Sequence, residues 1–174
     1  MEKRVIGWRE WLAIPTLGID RIKAKIDTGA RTSALHAYGV EHFLEDGAAW
    51  VRFTVHPLQR NNKVVLDCAA PIVDRREVTS STGHSEHRYV IQVEINLGEE
   101  SWPIEMTLTD RDQMGFRMLL GRTAVEGRLM VDPDRSYVMG KRKTAKKKTG
   151  KTRRSQPRTD KAGRRTGDDR EVTP

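Results

Sequence analysis

The stretch Ile22-Lys23-Ala24-Lys25-Ile26-Asp27-Thr28-Gly29-Ala30-Arg31-Thr32-Ser33 decides the fold. Ile22, Ala24 and Ile26 alternate with Lys23 and Lys25, a period of two that marks a strand buried on one face. The alternation stops at Asp27-Thr28-Gly29, where Asp and Gly both favour a turn. Upstream, Trp11–Ile14 forms a second apolar run, separated from Ile19–Ile26 by Pro15-Thr16-Leu17-Gly18. The two runs are predicted to pair as a hairpin that feeds directly into Asp27.

Farther out, further short strands are predicted at Ala49–His56, Val64–Cys68, Arg88–Leu97, Ser101–Thr109, Leu129–Val131 and Ser136–Met139, and Met118–Leu120 is a brief apolar run ending in Gly121. Gly98-Glu99-Glu100 suits a hairpin loop between two of them. One helical turn is expected over Arg122–Glu126, closed by Gly127. Many short strands at close spacing with little helix predict an all-β, mainly β domain, a small closed barrel with one short helix near its C-terminal end.

The chain of 174 residues carries a net charge of +8, but that charge is unevenly placed. Residues 1–140 hold 18 Lys/Arg against 20 Asp/Glu, a net of −2, whereas residues 141–174 hold 14 against 4, a net of +10. A near-neutral folded domain over 1–140 is therefore predicted to carry a basic tail over 141–174. The tail has no aromatic residue, too little apolar surface to offset the entropy of ordering, and is expected to be disordered. Its charge suits loose attraction to RNA, the ribosome or acidic peptides, or simple solubility.

Cys68 is the single cysteine, which rules out an intramolecular disulfide and points to a reducing compartment. It sits inside an apolar run and reads as a packing residue rather than a nucleophile. No secretory h-region or long apolar span stands out, so a cytoplasmic protein without membrane insertion is expected.

The apolar strand entering Asp27-Thr28-Gly29-Ala30, its continuation through Arg31-Thr32-Ser33-Ala34-Leu35-His36, and the later Met118-Leu119-Leu120-Gly121-Arg122 resemble the retropepsin pattern. More narrowly, Trp8–Met139, with Arg76-Glu77-Val78 ahead of Ser80-Ser81-Thr82-Gly83, resembles a bacterial family named for ATP-dependent zinc proteases and described as retropepsin-like. The resemblance implies a closed barrel equivalent to one half of an acid protease. It implies Asp27 as the catalytic residue, Thr28, Gly29 and Ala30 as the active-site loop, and Gly121 with Arg122 in support. It also implies a flap for which Thr82, Gly83 and His84 are the candidates.

Aspartic peptide hydrolysis needs two carboxylates sharing one proton, the ionised one activating water and the protonated one polarising the scissile carbonyl. Gly29 lets the backbone approach substrate because no Cβ intervenes. Alanine at position 30 brings no hydroxyl to the nearby carboxylate, so activity is expected nearer neutral pH than in digestive aspartic proteases. The chain contains one Asp-Thr-Gly and no Asp-Ser-Gly, so catalysis of this kind requires a homodimer.

Two other readings remain. One is a peptide-binding module of the same fold that cuts nothing. The other is a zinc-dependent hydrolase using His84 and His87, although His84-Ser85-Glu86-His87 is not His-Glu-x-x-His and further ligands are not evident. The leading reading needs no cofactor. Members of the resembled family are associated with ATP-grasp ligases that add glutamate tails to proteins, which implies a ligase partner and an acidic protein substrate. No Gly-x-x-x-x-Gly-Lys is present, so any ATP dependence would come from such a partner.

Overall fold

The computed structural model describes residues 2–110 and 115–140. The tail predicted to be disordered, 141–174, lies outside the described residues. The first strands are β1 (Arg4–Gly7), β2 (Arg9–Ile14), β3 (Ile19–Asp27) and β4 (Ser33–His36), followed by β5 (Tyr38–Glu45), β6 (Ala48–Val55) and β7 (Leu66–Pro71). Next come β8 (Asp74–Thr79), β9 (Ser85–Leu97), β10 (Glu100–Thr109) and β11 (Met118–Gly121). The single α-helix among the described residues, α1 (Arg122–Val125), precedes β12 (Leu129–Asp132). The chain is mostly β, as expected.

Strands β10-β4-β11-β3-β2-β9 lie side by side in that order, and β9 pairs back onto β10, so the sheet closes into a barrel-like form with β8 appended to β9. Ile22, Ala24 and Ile26 point from β3 into its interior against Leu35, Ile91, Ile95, Met106, Met118 and Leu120, all buried. The predicted hairpin is present: β2 and β3 pair antiparallel from Arg9↔Lys25 to Ile14↔Ile19, with a one-turn 3-10 helix at Pro15–Leu17. Gly18, at φ 70°, closes that turn in the left-handed region that glycine tolerates.

The residues between Tyr38 and Pro71 build a three-stranded antiparallel sheet, β5-β6-β7. Its Val51, Phe53, Val55, Cys68 and Ala70 join the same apolar core. The strand expected at Val64–Cys68 is displaced. Val64 and Val65 are exposed, and β7 starts at Leu66, where Cys68 and Ala70 alternate into the core. Strands β1, β4, β5 and β8 went unread in the sequence, β5 and β8 because their burial alternates only weakly.

The predicted strand at Ser136–Met139 is not a strand. Tyr137 sits at φ 54°, and the N–H groups of Val138 and Met139 donate to the Glu10 carboxylate at 2.8 and 3.3 Å rather than to a neighbouring strand. Glu10 also accepts from Gly7 N at 2.8 Å and is 0% exposed, so one buried side chain holds this segment irregular against β1 and β2. Parallel pairing of β1 with β12 completes this side.

Candidate active site

Strand β11 runs between β3 and β4, parallel to the first and antiparallel to the second. Asp27 is the last residue of β3 and lies in register with Gly121, the last residue of β11. The loop 28–32 must therefore cross the end of β11 to reach β4, which brings the two motifs singled out in the sequence into contact.

Within the loop, Asp27 Oδ1 accepts from the backbone N–H groups of Gly29 and Ala30, each at 3.1 Å. This is the local Asp-centred turn, and it orients the carboxylate as it closes the loop. Thr28 and Gly29 are exposed, and Asp27 and Ala30 partly so. A Cβ on Gly29 would stand 3.3 Å from Asp27 Oδ1.

The loop is laced to the start of α1. Arg122 N donates to Ala30 O at 2.7 Å, Thr123 N to Arg31 O at 3.1 Å, and Thr123 Oγ1 to Arg31 O at 2.9 Å. Gly121 is required by contact: a Cβ there would lie 2.6–2.8 Å from backbone atoms of Thr32 and Ser33. The Arg122 guanidinium donates to the Thr28 carbonyl at 3.4 Å. Trp102 Nε1 donates to Ala124 O at 3.0 Å and pins the helix from beneath.

Sequence reasoning missed the buried polar groups behind this loop. Ser33, 0% exposed, accepts from Gly121 N through Oγ at 3.0 Å, and its carbonyl accepts from Thr107 Oγ1 at 3.2 Å. Thr107 Oγ1 in turn accepts from Arg88 Nη1 at 3.4 Å, and the Arg88 guanidinium pairs with Glu86, which also accepts from Thr109 Oγ1 at 2.9 Å. Every member is hydrogen-bonded, as a buried polar chain must be. The partners lie up to 88 residues apart. Only the run Arg31-Thr32-Ser33 hinted at any of it.

Thr82, Gly83 and His84 lie in the turn of the β8–β9 hairpin. Gly83 N donates to Ser80 O at 2.9 Å with Gly83 at φ 81°, and Ser80 N donates to His84 O at 2.8 Å. On the arm of this hairpin, Arg76 pairs with Asp74 and Glu105, each at 2.6 Å. The Arg76 hydrogen bond holds the Asp74 carboxyl below the usual carboxylate range, with the Arg75 backbone N–H adding to it. Arg76, Glu105, Arg31, Thr32 and Thr123 line a cavity of about 200 Å³ beside the active-site loop. A larger cavity of about 440 Å³ lies around Asp20, Arg21, Glu99 and Glu100, at the opposite end of β3 from Asp27.

His87 stands in β9 opposite Glu77, three positions past His84. Among the described residues no group of three or more His, Cys, Asp or Glu side chains is arranged to hold a metal ion. Cys68 is buried in β7, its Sγ donating to Leu17 O at 3.4 Å. Burial, then the Asp67 carboxylate, pushes its thiol up to about 11, so it stays protonated and unreactive near neutrality. No helix among the described residues is long and apolar enough to cross a membrane.

Comparison with known proteins bears on this geometry. A family model described as retropepsin-like aspartic endopeptidase RimB matches residues 5–142. A probable alpha-L-glutamate ligase of Shewanella pealeana is 49% identical over 140 residues, covering 80% of this chain and 31% of that protein. A probable alpha-L-glutamate ligase of Parasynechococcus marenigrum is 50% identical over 138 residues, covering 79% and 30%. The chain thus spans about a third of the length of these curated relatives. A crystal structure of a Legionella pneumophila protein of unknown function superposes with a TM-score of 0.66 at 24% identity, covering 79% of this chain and 99% of that one. At that identity the likeness speaks for the fold alone. The matched family description names an aspartic endopeptidase, not the ATP-dependent zinc protease of the resemblance drawn from sequence. With Asp27-Thr28-Gly29-Ala30 closed over Leu120-Gly121-Arg122 in a barrel-like β domain, and with the match running over 5–142, the chain belongs to the RimB-like family of retropepsin-like proteins.

Proposed function

We propose that this protein is an aspartic endopeptidase that acts as a homodimer and shortens acidic, glutamate-rich protein tails. The observation that carries the reading is the setting of Asp27: a partly exposed carboxylate at a strand end, both of whose backbone donors engage the same oxygen, Oδ1. In a two-fold dimer, Oδ2 of each Asp27 is available to water and to the shared proton. One Asp27 takes a proton as the water oxygen attacks the peptide carbonyl carbon. Its partner's proton passes to the carbonyl oxygen, and the tetrahedral diol then collapses with C–N cleavage as the amine takes up a proton. The loop's ties to Gly121, Arg122 and Thr123 hold the carboxylate in place, and the β8–β9 turn serves as the flap.

The acidic substrate is suggested by the relatives, whose names describe glutamate ligases and which contain a segment like this chain. A ligase partner follows from the same reasoning, since a trimming activity complements one that adds residues. The test is incubation of a glutamate-tailed protein with wild type and with Asp27→Asn, read by intact mass. Wild type should release glutamate-containing products, insensitive to chelators, and the variant should not. Equal cutting by both would reduce Asp27 to a turn residue. Loss of wild-type cutting with chelator would favour a zinc-dependent hydrolase. The same segment inside ligase-named chains also suits a second reading, a module that binds acidic chains without cutting them; retained binding with no cleavage would select it.

A further inference from the structure

Arg21, Lys23 and Lys25 alternate with the buried Ile22, Ala24 and Ile26, so they project from the outer face of β3, where Asp27 continues the same row. The β2 register adds Arg9 opposite Lys25 and Trp11 opposite Lys23 on that face. Successive members of one row stand about 7 Å apart along the strand. Lys25 is thus one step from Asp27, and Arg21 three.

Some basic residues of the barrel are neutralised by a carboxylate. Arg4, Arg52, Arg76 and Arg88 each pair with a carboxylate. Among the described residues, Arg9, Arg21, Lys23 and Lys25 pair with none. Three of the four, Arg9, Arg21 and Lys23, lie over aromatic faces instead. The Arg21 guanidinium lies 3.8 Å from the Trp11 ring centroid, Lys23 Nζ 5.1 Å from it, and Arg9 stacks between Trp8 at 4.6 Å and Tyr137 at 5.0 Å. Trp11 and Tyr137 themselves stack at 6.0 Å. Among the described residues, Arg21 Nε and Trp11 Nε1 are buried donors with no acceptor. A row of cations without carboxylate partners among the described residues, three of them over rigid rings, within a domain whose net charge is −2, is a local excess of positive sign that calls for an anionic partner.

We infer that the outer face of β2–β3 is an exosite for an extended acidic peptide, whose alternate carboxylates meet Arg21, Lys23 and Lys25 and whose end is thereby delivered to Asp27. An extended peptide repeats its side chains on one face at about the same 7 Å as the row on β3, which single-point charge attraction would not demand. The delivery step rests on the function proposed above; the binding step does not.

The experiment titrates a fluorescent oligoglutamate peptide into full-length Asp27→Asn protein at low salt, followed by anisotropy. The same titration is run on Asp27→Asn carrying Lys23→Gln and Lys25→Gln, and on Asp27→Asn carrying Arg128→Gln. The basic tail is present in every sample, so its contribution cancels. The double lysine change should weaken binding about tenfold, as two lost surface ion contacts allow, whereas Arg128→Gln should leave it unchanged. Oligoglutamine of equal length should bind none of them. Thermal melting confirms that the exposed-face variants remain folded. Unchanged affinity in the double variant would overturn the exosite, as would tighter, lysine-dependent binding of an oligouridylate, which would make the face an RNA surface. Because binding is read without turnover, absence of cleavage by wild type counts against the proposed activity alone.

Discussion

Two carboxylates on adjacent strands, Glu10 in β2 and Asp27 at the end of β3, both accept hydrogen bonds from backbone amides, yet their settings are opposite. Glu10 is 0% exposed and uses both oxygens, taking Gly7 and Val138 on Oε1 and Met139 on Oε2. Its donors come from segments more than 120 residues apart, so the side chain ties the two ends of the domain together. Asp27 is partly exposed, and both its donors come from the next three residues and share one oxygen. The first arrangement spends the carboxylate's hydrogen-bonding capacity on the fold; the second orients the group and, in the proposed mechanism, leaves an oxygen for chemistry.

The largest effect that tests this contrast is on activity. Asp27→Asn should lower turnover by three orders of magnitude or more, on the order of 4 kcal/mol of barrier, with a melting temperature close to wild type. Glu10→Ala should do the reverse. Stranding three amides, two of them tied to distant chain segments, is expected to cost about 3 kcal/mol of stability, read as a shifted denaturation midpoint, while the folded fraction keeps its turnover. If Glu10→Ala instead abolished turnover at unchanged stability, the division of roles would be wrong. Ser33→Ala removes one buried acceptor behind the loop and should cost about 1–2 kcal/mol, raising KM and lowering kcat together as the Asp27 loop loosens.

The smallest effect concerns Cys68. Its thiol is raised from 9.0 to about 11 in the fold, so the folded state favours the protonated form. That contribution to stability is fully present below the ordinary thiol value and is lost as pH rises toward about 11. A thiol reagent at mildly alkaline pH should therefore label the denatured chain rapidly and the native one slowly. Equal rates would place Cys68 at the surface.

The contrast also explains what the sequence disclosed. The β2–β3 hairpin, the Asp27 turn, Gly121 and the helical turn after it were legible because each rests on a local pattern: alternation, turn residues, or a glycine where a strand ends. Glu10 was not. Between Arg9 and Trp11 it reads as an outward polar residue, whereas the strand turns Arg9 and Trp11 outward and Glu10 in with Leu12. The same side chain defeated the strand predicted at Ser136–Met139, since its carboxylate takes the amides a ladder would have used. Ser33, Thr107, Arg88 and Glu86 had no local signature because their partners meet only when β4, β9, β10 and β11 assemble. The cation row was visible as Arg21, Lys23 and Lys25, but its lack of carboxylate partners among the described residues became apparent only in the fold.

The central claim is that one active centre needs Asp27 from two protomers. It is tested most directly by mixing wild-type and Asp27→Asn chains, letting subunits exchange to equilibrium, and measuring hydrolysis of a glutamate-tailed protein at constant total protein. If only dimers with two intact Asp27 residues cut, activity follows the square of the wild-type fraction. Activity that falls in direct proportion to the wild-type fraction would mean each protomer works alone, and the shared-dyad account would be contradicted.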